Sequence, residues 1–102
     1  MSLILRPQFY LDLEEEVAWL AEQVSDEIAQ RWYEAVFSTI DFIKSNPDIG
    51  RARRDLKQPG IRSWRVEHFT RWLIFYGVRP PDIVFYRVRS GLMNLLVLRM
   101  EA

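Results

Sequence analysis

The hydrophobic period of this chain changes once, near its middle, and that change limits the fold more than any other feature. Through the first half, apolar residues recur at three- and four-residue steps: Tyr10, Leu13, Val17, Leu20 and Val24, then Ile28, Trp32, Val36, Ile40 and Ile43. Such spacing lines one side of a helix. In the second half the pattern is that of strands. "IRSWRVEHF" sets Trp64, Val66 and His68 in alternation with Ser63, Arg65 and Glu67, and "RWLIFYGVR" is nearly all apolar or aromatic from Trp72 to Val78. "DIVFYRVR" then follows the turn "RPPD". Short turns between such runs favour antiparallel pairing. The fold class that results is α+β: an N-terminal helical hairpin packed on one face of a small antiparallel sheet, in a single domain over residues 1–102. The other sheet face, or an edge, is expected to stay open unless a partner covers it.

Local signals place the boundaries. "SLILR", from Ser2 to Arg6, reads as a brief strand closed by Pro7. Proline is at home in a helix's first turn, so the first helix begins near Pro7 or Gln8. Asp12, Glu14, Glu15, Glu16 and Glu22 fall mostly off its apolar stripe, and the run Glu14–Glu16 reads as a solvated face. Ser25 is a good N-cap for the second helix, with Asp26 and Glu27 in its first turn. That helix stops at "KSNPDIG", where Asn46-Pro47 and Gly50 end it. Trp72–Val78 is the most apolar run and should be the central strand. The tail "MNLLVLRMEA" fits either a fourth strand or a short helix, because brief apolar runs cannot be typed by period.

The chain is formally neutral, but its charge is divided. Residues 1–50 hold three basic and ten acidic groups, a balance of −7; residues 51–102 hold eleven basic and four acidic ones, a balance of +7. In the second half arginine outnumbers lysine ten to one. Guanidinium offers a planar fork for carboxylate or phosphate. The basic set is Arg51, Arg53, Arg54 and Lys57 after the second helix, Arg62 and Arg65 on the first long strand, and Arg71, Arg79, Arg87 and Arg89 on or beside later strands. One reading pairs these cations with the acidic helices inside the fold. The other has them converge on one accessible patch that meets an acidic protein partner or a nucleic-acid backbone.

Catalytic inventory is thin. Cysteine is absent and His68 is the only histidine, so no metal or cofactor is expected. His68 reads as ordinary strand packing or a rim hydrogen bond, with general base as the lesser reading. The four glycines are isolated, so no glycine-rich phosphate loop exists. No apolar run approaches the ~20 residues that span a bilayer. The N-terminus lacks the pattern of a signal peptide, and cytoplasm is the expected location.

Four landmarks follow one another in a familiar order: Asp12-Leu13 in the first helix, Asn46-Pro47-Asp48-Ile49-Gly50-Arg51, Pro59-Gly60-Ile61-Arg62-Ser63-Trp64, and Leu73-Ile74-Phe75-Tyr76. In that order and spacing, residues 6–89 resemble the ParE/RelE toxin superfamily of bacterial type II toxin–antitoxin systems, and the ParE-like members more closely. The resemblance implies a helical hairpin on a curved antiparallel sheet, and a toxin held inactive by a cognate antitoxin. It implies DNA gyrase as target for a ParE-like chain, and ribosome-bound mRNA for a RelE-like ribonuclease. A homodimer or a toxin–antitoxin hetero-oligomer would be the assembled form. ParE-like chains commonly end the last strand in a pattern such as R-V-x-H-G-x-R-D. Here Arg87, Val88 and Gly91 fit, whereas Ser90, Met93 and Asn94 replace the usual His, Arg and Asp. The expected binding residues are Arg51, Arg53, Arg54, Arg62, Arg65, Arg71, Arg87 and Arg89. For the ribonuclease alternative, the catalytic residues would be His68, Arg65 and Arg87. No tyrosine follows Tyr86, and neither Ser90 nor Asn94 is a general base at neutral pH. An attenuated relative that still binds antitoxin is the third reading.

Overall fold

A computed structural model describes residues 1–91. Its elements run β1 (Ser2–Leu5), α1 (Pro7–Gln23), α2 (Asp26–Ser45), β2 (Arg51–Ala52), β3 (Arg62–Val66), β4 (Phe69–Arg79) and β5 (Asp82–Ser90). The strands form one sheet in the order β1-β5-β4-β3-β2, with the helical hairpin across one face. The α+β reading holds, with β4 central as expected. The tail from Leu92 onward, and with it Met93, Asn94 and the choice between strand and helix, lies outside the described residues.

The sheet is mixed rather than wholly antiparallel. β2, β3, β4 and β5 pair antiparallel in turn, but β1 lies parallel to β5, Leu3 beside Ile83 and Leu5 beside Phe85. A parallel neighbour needs a long crossover. Here everything between β1 and β5 serves as one.

The helices begin where their caps dictate. Pro7 opens α1. Ser25 caps α2, its Oγ accepting from the Ile28 N–H at 3.1 Å, and Asp26 and Glu27 fill the first turn. The face of α2 is as its spacing predicts, with Trp32, Val36, Ile40 and Ile43 buried. The face of α1 is so only in part: Leu13 and Leu20 are buried and Val17 packs against the core, as expected. Its buried residues are Phe9, Asp12, Leu13, Glu16 and Leu20, while Tyr10 and Val24 stay exposed. Residues 9, 13, 16 and 20 keep a helical spacing as regular as the expected stripe does. What decides between the two is that the sheet supplies partners for Asp12 and Glu16.

The main core closes Phe9, Leu13, Leu20, Trp32, Val36 and Ile40 over Trp72, Ile74, Tyr76, Ile83, Phe85 and Val88. Phe85 and Val88 are three residues apart, which simple alternation forbids. The cause is a bulge: Phe75 pairs with Arg87 and Tyr76 with Phe85, leaving Tyr86 as the extra residue. A bulge shifts every later side chain by one position. The second face of the sheet is covered in part by the chain itself. Leu56 and Ile61, from the long connection between β2 and β3, pack with Phe75, Val84 and Tyr86. This corrects the expectation that covering this face needs a partner.

Candidate functional site

Three of the four landmarks meet at one joint beyond the C-terminus of α2. The Tyr76 hydroxyl donates to the Pro47 carbonyl at 2.8 Å and accepts from the Gly50 N–H at 2.9 Å. Burial pushes the Tyr76 pKa above its ordinary value. Arg62 Nη1 donates to the carbonyls of Gly50 at 2.8 Å and Asp48 at 3.3 Å. Gly50 is required here, since a Cβ would stand 2.5 Å from the Tyr76 hydroxyl oxygen. The landmark residues thus hold the helix-to-sheet turn in place.

The fourth landmark forms a second joint, between α1 and β5. Asp12 is wholly buried and accepts from Arg87 Nε at 2.7 Å, Arg87 Nη2 at 3.0 Å and the Val88 N–H at 3.1 Å. Arg89 Nη1 reaches Glu15 at 3.0 Å, Asp12 at 3.5 Å and Glu16 at 3.8 Å. Burial works to lower the Arg89 pKa, but the three carboxylates outweigh it and the net shift is upward. Glu16 also accepts from Trp72 Nε1 at 3.0 Å. The run Glu14–Glu16 is therefore only partly a solvated face: Glu14 and Glu15 are exposed and Glu16 is buried.

These joints divide the expected binding residues. Arg87 and Arg89 are clasped by α1, and Arg62 is committed to carbonyls. Arg53 is nearly buried; it donates to both Asp55 oxygens, at 2.9 and 2.6 Å, and to Ser63 Oγ at 3.2 Å. That fork holds the Asp55 carboxyl down to about 2. The guanidinium of Arg53 also lies 5.5 Å above the Phe75 ring. Arg51, Arg54, Arg65 and Arg71 are exposed, as is Lys57. Arg65 stacks on Trp64 at 4.3 Å, and that indole also stacks with Phe42. The structure therefore does not gather the ten cations into one patch.

The residues of the ribonuclease alternative are also dispersed. His68 is not a strand residue: it occupies the turn between β3 and β4 with φ of 65°, and its side chain is 82% exposed. Nε2 of His68 is 3.7 Å from Glu67. The turn is anchored to α2 by Thr39, whose Oγ1 accepts from the Glu67 N–H at 3.0 Å. Arg65 is on β3, stacked on its neighbour, and Arg87 is on β5 against Asp12.

A family described as "ParE toxin of type II toxin-antitoxin system, parDE" matches residues 3–95. The chain belongs to the ParE toxin family. Among curated proteins, Toxin ParE3 of Caulobacter vibrioides is 29% identical over 84 residues, which is 82% of this chain and 80% of that protein. Among solved structures, the chromosomal ParDE TA system from P. aeruginosa superposes with a TM-score of 0.74 at 19% identity, covering 88% of this chain and 95% of that one. At that identity the likeness speaks for the fold. This ParE-family chain keeps its frame through the two joints, and the side chains left exposed are what it can offer to partners. Sequence reasoning missed the roles of Asp12 and Glu16. The signal available was their position among buried helical spacings, with arginines in the final strand to match them.

Proposed function

We propose that this ParE-family toxin acts on DNA gyrase by binding it, and that a cognate antitoxin neutralises it. The observation that carries the binding reading is the separation of His68 from Arg87. General acid–base cleavage needs its groups within hydrogen-bond reach of one reacting atom. Here the histidine stands at an exposed turn and the arginine is committed to a buried carboxylate. The antitoxin reading is supported by family membership, and by the P. aeruginosa relative, which is named as a ParDE TA system. The helical layer also leaves Tyr10, Leu11, Trp19, Val24, Tyr33 and Phe42 exposed. Apolar and aromatic side chains of this kind form the centres of protein–protein interfaces, so the antitoxin segment docks on that layer. Arg51, Arg54, Lys57, Arg65 and Arg71 are the exposed members of the basic set, and they remain available to a target.

Expression of the full chain alone in a bacterial host tests this. The expected result is growth arrest with DNA-damage signs, inhibition of purified gyrase, and rescue by the antitoxin. Cutting of ribosome-bound mRNA with gyrase unaffected would overturn the reading in favour of the ribonuclease. Tight antitoxin binding without growth arrest would overturn it in favour of an attenuated relative.

A further inference from the structure

The long connection from β2 to β3 holds a feature that, Arg62 aside, neither joint nor the antitoxin surface uses. Residues between Ala52 and Arg62 line an open cleft of about 390 Å³, with Arg53, Arg54, Lys57 and Arg62 on its walls. Arg54 and Lys57 are exposed, as is Arg51 immediately before the cleft, and among the described residues these three have no hydrogen-bonding or ion-pair partner for their side chains. The carboxylates nearby are engaged elsewhere, although Asp55 also feels the charge of Arg51. Asp55 is taken by Arg53, and Asp48 stands 3.8 Å from Arg62. The floor packs on the sheet: Leu56 and Ile61 are buried against it, and Arg79 Nη2 donates to the Pro59 carbonyl at 2.8 Å.

We propose that this cleft binds the phosphate backbone of duplex DNA. Three observations select that occupant. The cleft and its entrance present exposed cations that make no ion pair among the described residues, and phosphodiester binding needs little else. A protein segment needs an apolar or aromatic anchor, yet among the described residues none of the large exposed apolar side chains lines the cleft. A single strand would be held by stacking on aromatic rings, and no aromatic side chain lines it either. Contact through Arg51, Arg54 and Lys57 is independent of sequence, because phosphates position a protein without reading bases. The inference goes beyond the gyrase reading and does not depend on it. It gives this toxin its own hold on DNA, in addition to any hold on a protein target.

The test is fluorescence anisotropy with the full chain and a labelled, arbitrary duplex of about 20 base pairs between roughly 50 and 200 mM salt. Three phosphate contacts predict a log–log salt slope of roughly −2.7, an affinity loss of about 40-fold across that range. Arg54→Gln with Lys57→Gln should flatten the slope by roughly two units. Arg31→Gln with Lys44→Gln, which removes the same charge from exposed positions of α2, should leave it unchanged. The proposal is overturned by absence of binding, by equal effects of the two double variants, by tighter binding to the single strand, or by an acidic peptide that outcompetes the duplex. Gyrase inhibition by the same samples is scored separately, so loss of either reading leaves the other standing.

Discussion

At the α1–β5 contact, Arg87 and Arg89 face three carboxylates, one of them fully buried. On β2 and the connection that follows it, Arg51, Arg54 and Lys57 face solvent, with no carboxylate in ion-pair contact among the described residues. The residue type is similar in both places and the physics is opposite. A buried Asp12 is tolerable only because it is hydrogen-bonded on several sides. Its guanidinium partners are therefore part of the frame, and they orient the strand that ends at Ser90. The exposed cations contribute little to stability, and their charge is left for a ligand. An arginine count alone cannot separate these roles; the burial of the opposing carboxylate does.

The largest expected effect tests the first region. Asp12→Ala removes the buried carboxylate that accepts from Arg87 and from the Val88 N–H, and should cost about 3–5 kcal/mol in urea unfolding, the usual loss when one partner of a buried pair is removed. A cost under about 1 kcal/mol would erase the distinction between the regions. Next comes the helix-to-sheet joint. Gly50→Ala forces a methyl against Tyr76 and should cost about 1–3 kcal/mol, whereas Tyr76→Phe, which deletes the two hydrogen bonds, should cost about 1–3 kcal/mol through the unmet Gly50 and Pro47 groups. Similar losses in both variants, seen as matched shifts in urea midpoint, would mark this joint as frame, like Asp12.

The smallest effects belong to the β2–β3 connection. Asp55 titrates at about 2 in the folded state and at about 3.9 unfolded. Because the folded value is depressed, its stabilising contribution is complete above pH ~4 and is lost as pH falls through about 2. Asp55→Asn should abolish that increment of acid sensitivity, read as a flatter dependence of the unfolding midpoint between about pH 4 and 2. Arg54→Gln should change stability by no more than about 0.5 kcal/mol, as exposed substitutions do. A larger loss would mean that the exposed cations are structural after all.

Much of the fold was legible because its causes are local. Pro7, the Ser25 cap, the Asn46-Pro47 stop and the apolar run Trp72–Val78 each act within a few residues. The landmarks from Asn46 to Arg51 and from Leu73 to Tyr76 were legible as a resemblance, but their meaning was not. Tyr76 and Gly50 meet only after a sheet has formed between them. The α1 face was misread because two stripes of equal regularity overlap on that helix. The division of the arginines was out of reach because it depends on distant partners, since Asp12 and Arg87 lie 75 positions apart.

By itself the sequence determined the two periods, the helix and turn boundaries, and the segregation of charge between the halves. The tertiary structure alone decided that β1 pairs parallel to β5, that a bulge at Tyr86 rephases the last strand, and which carboxylates leave water. Those outcomes depend on partners distant in the chain, and a carboxylate can be buried only where the folded sheet supplies the donors that replace its water.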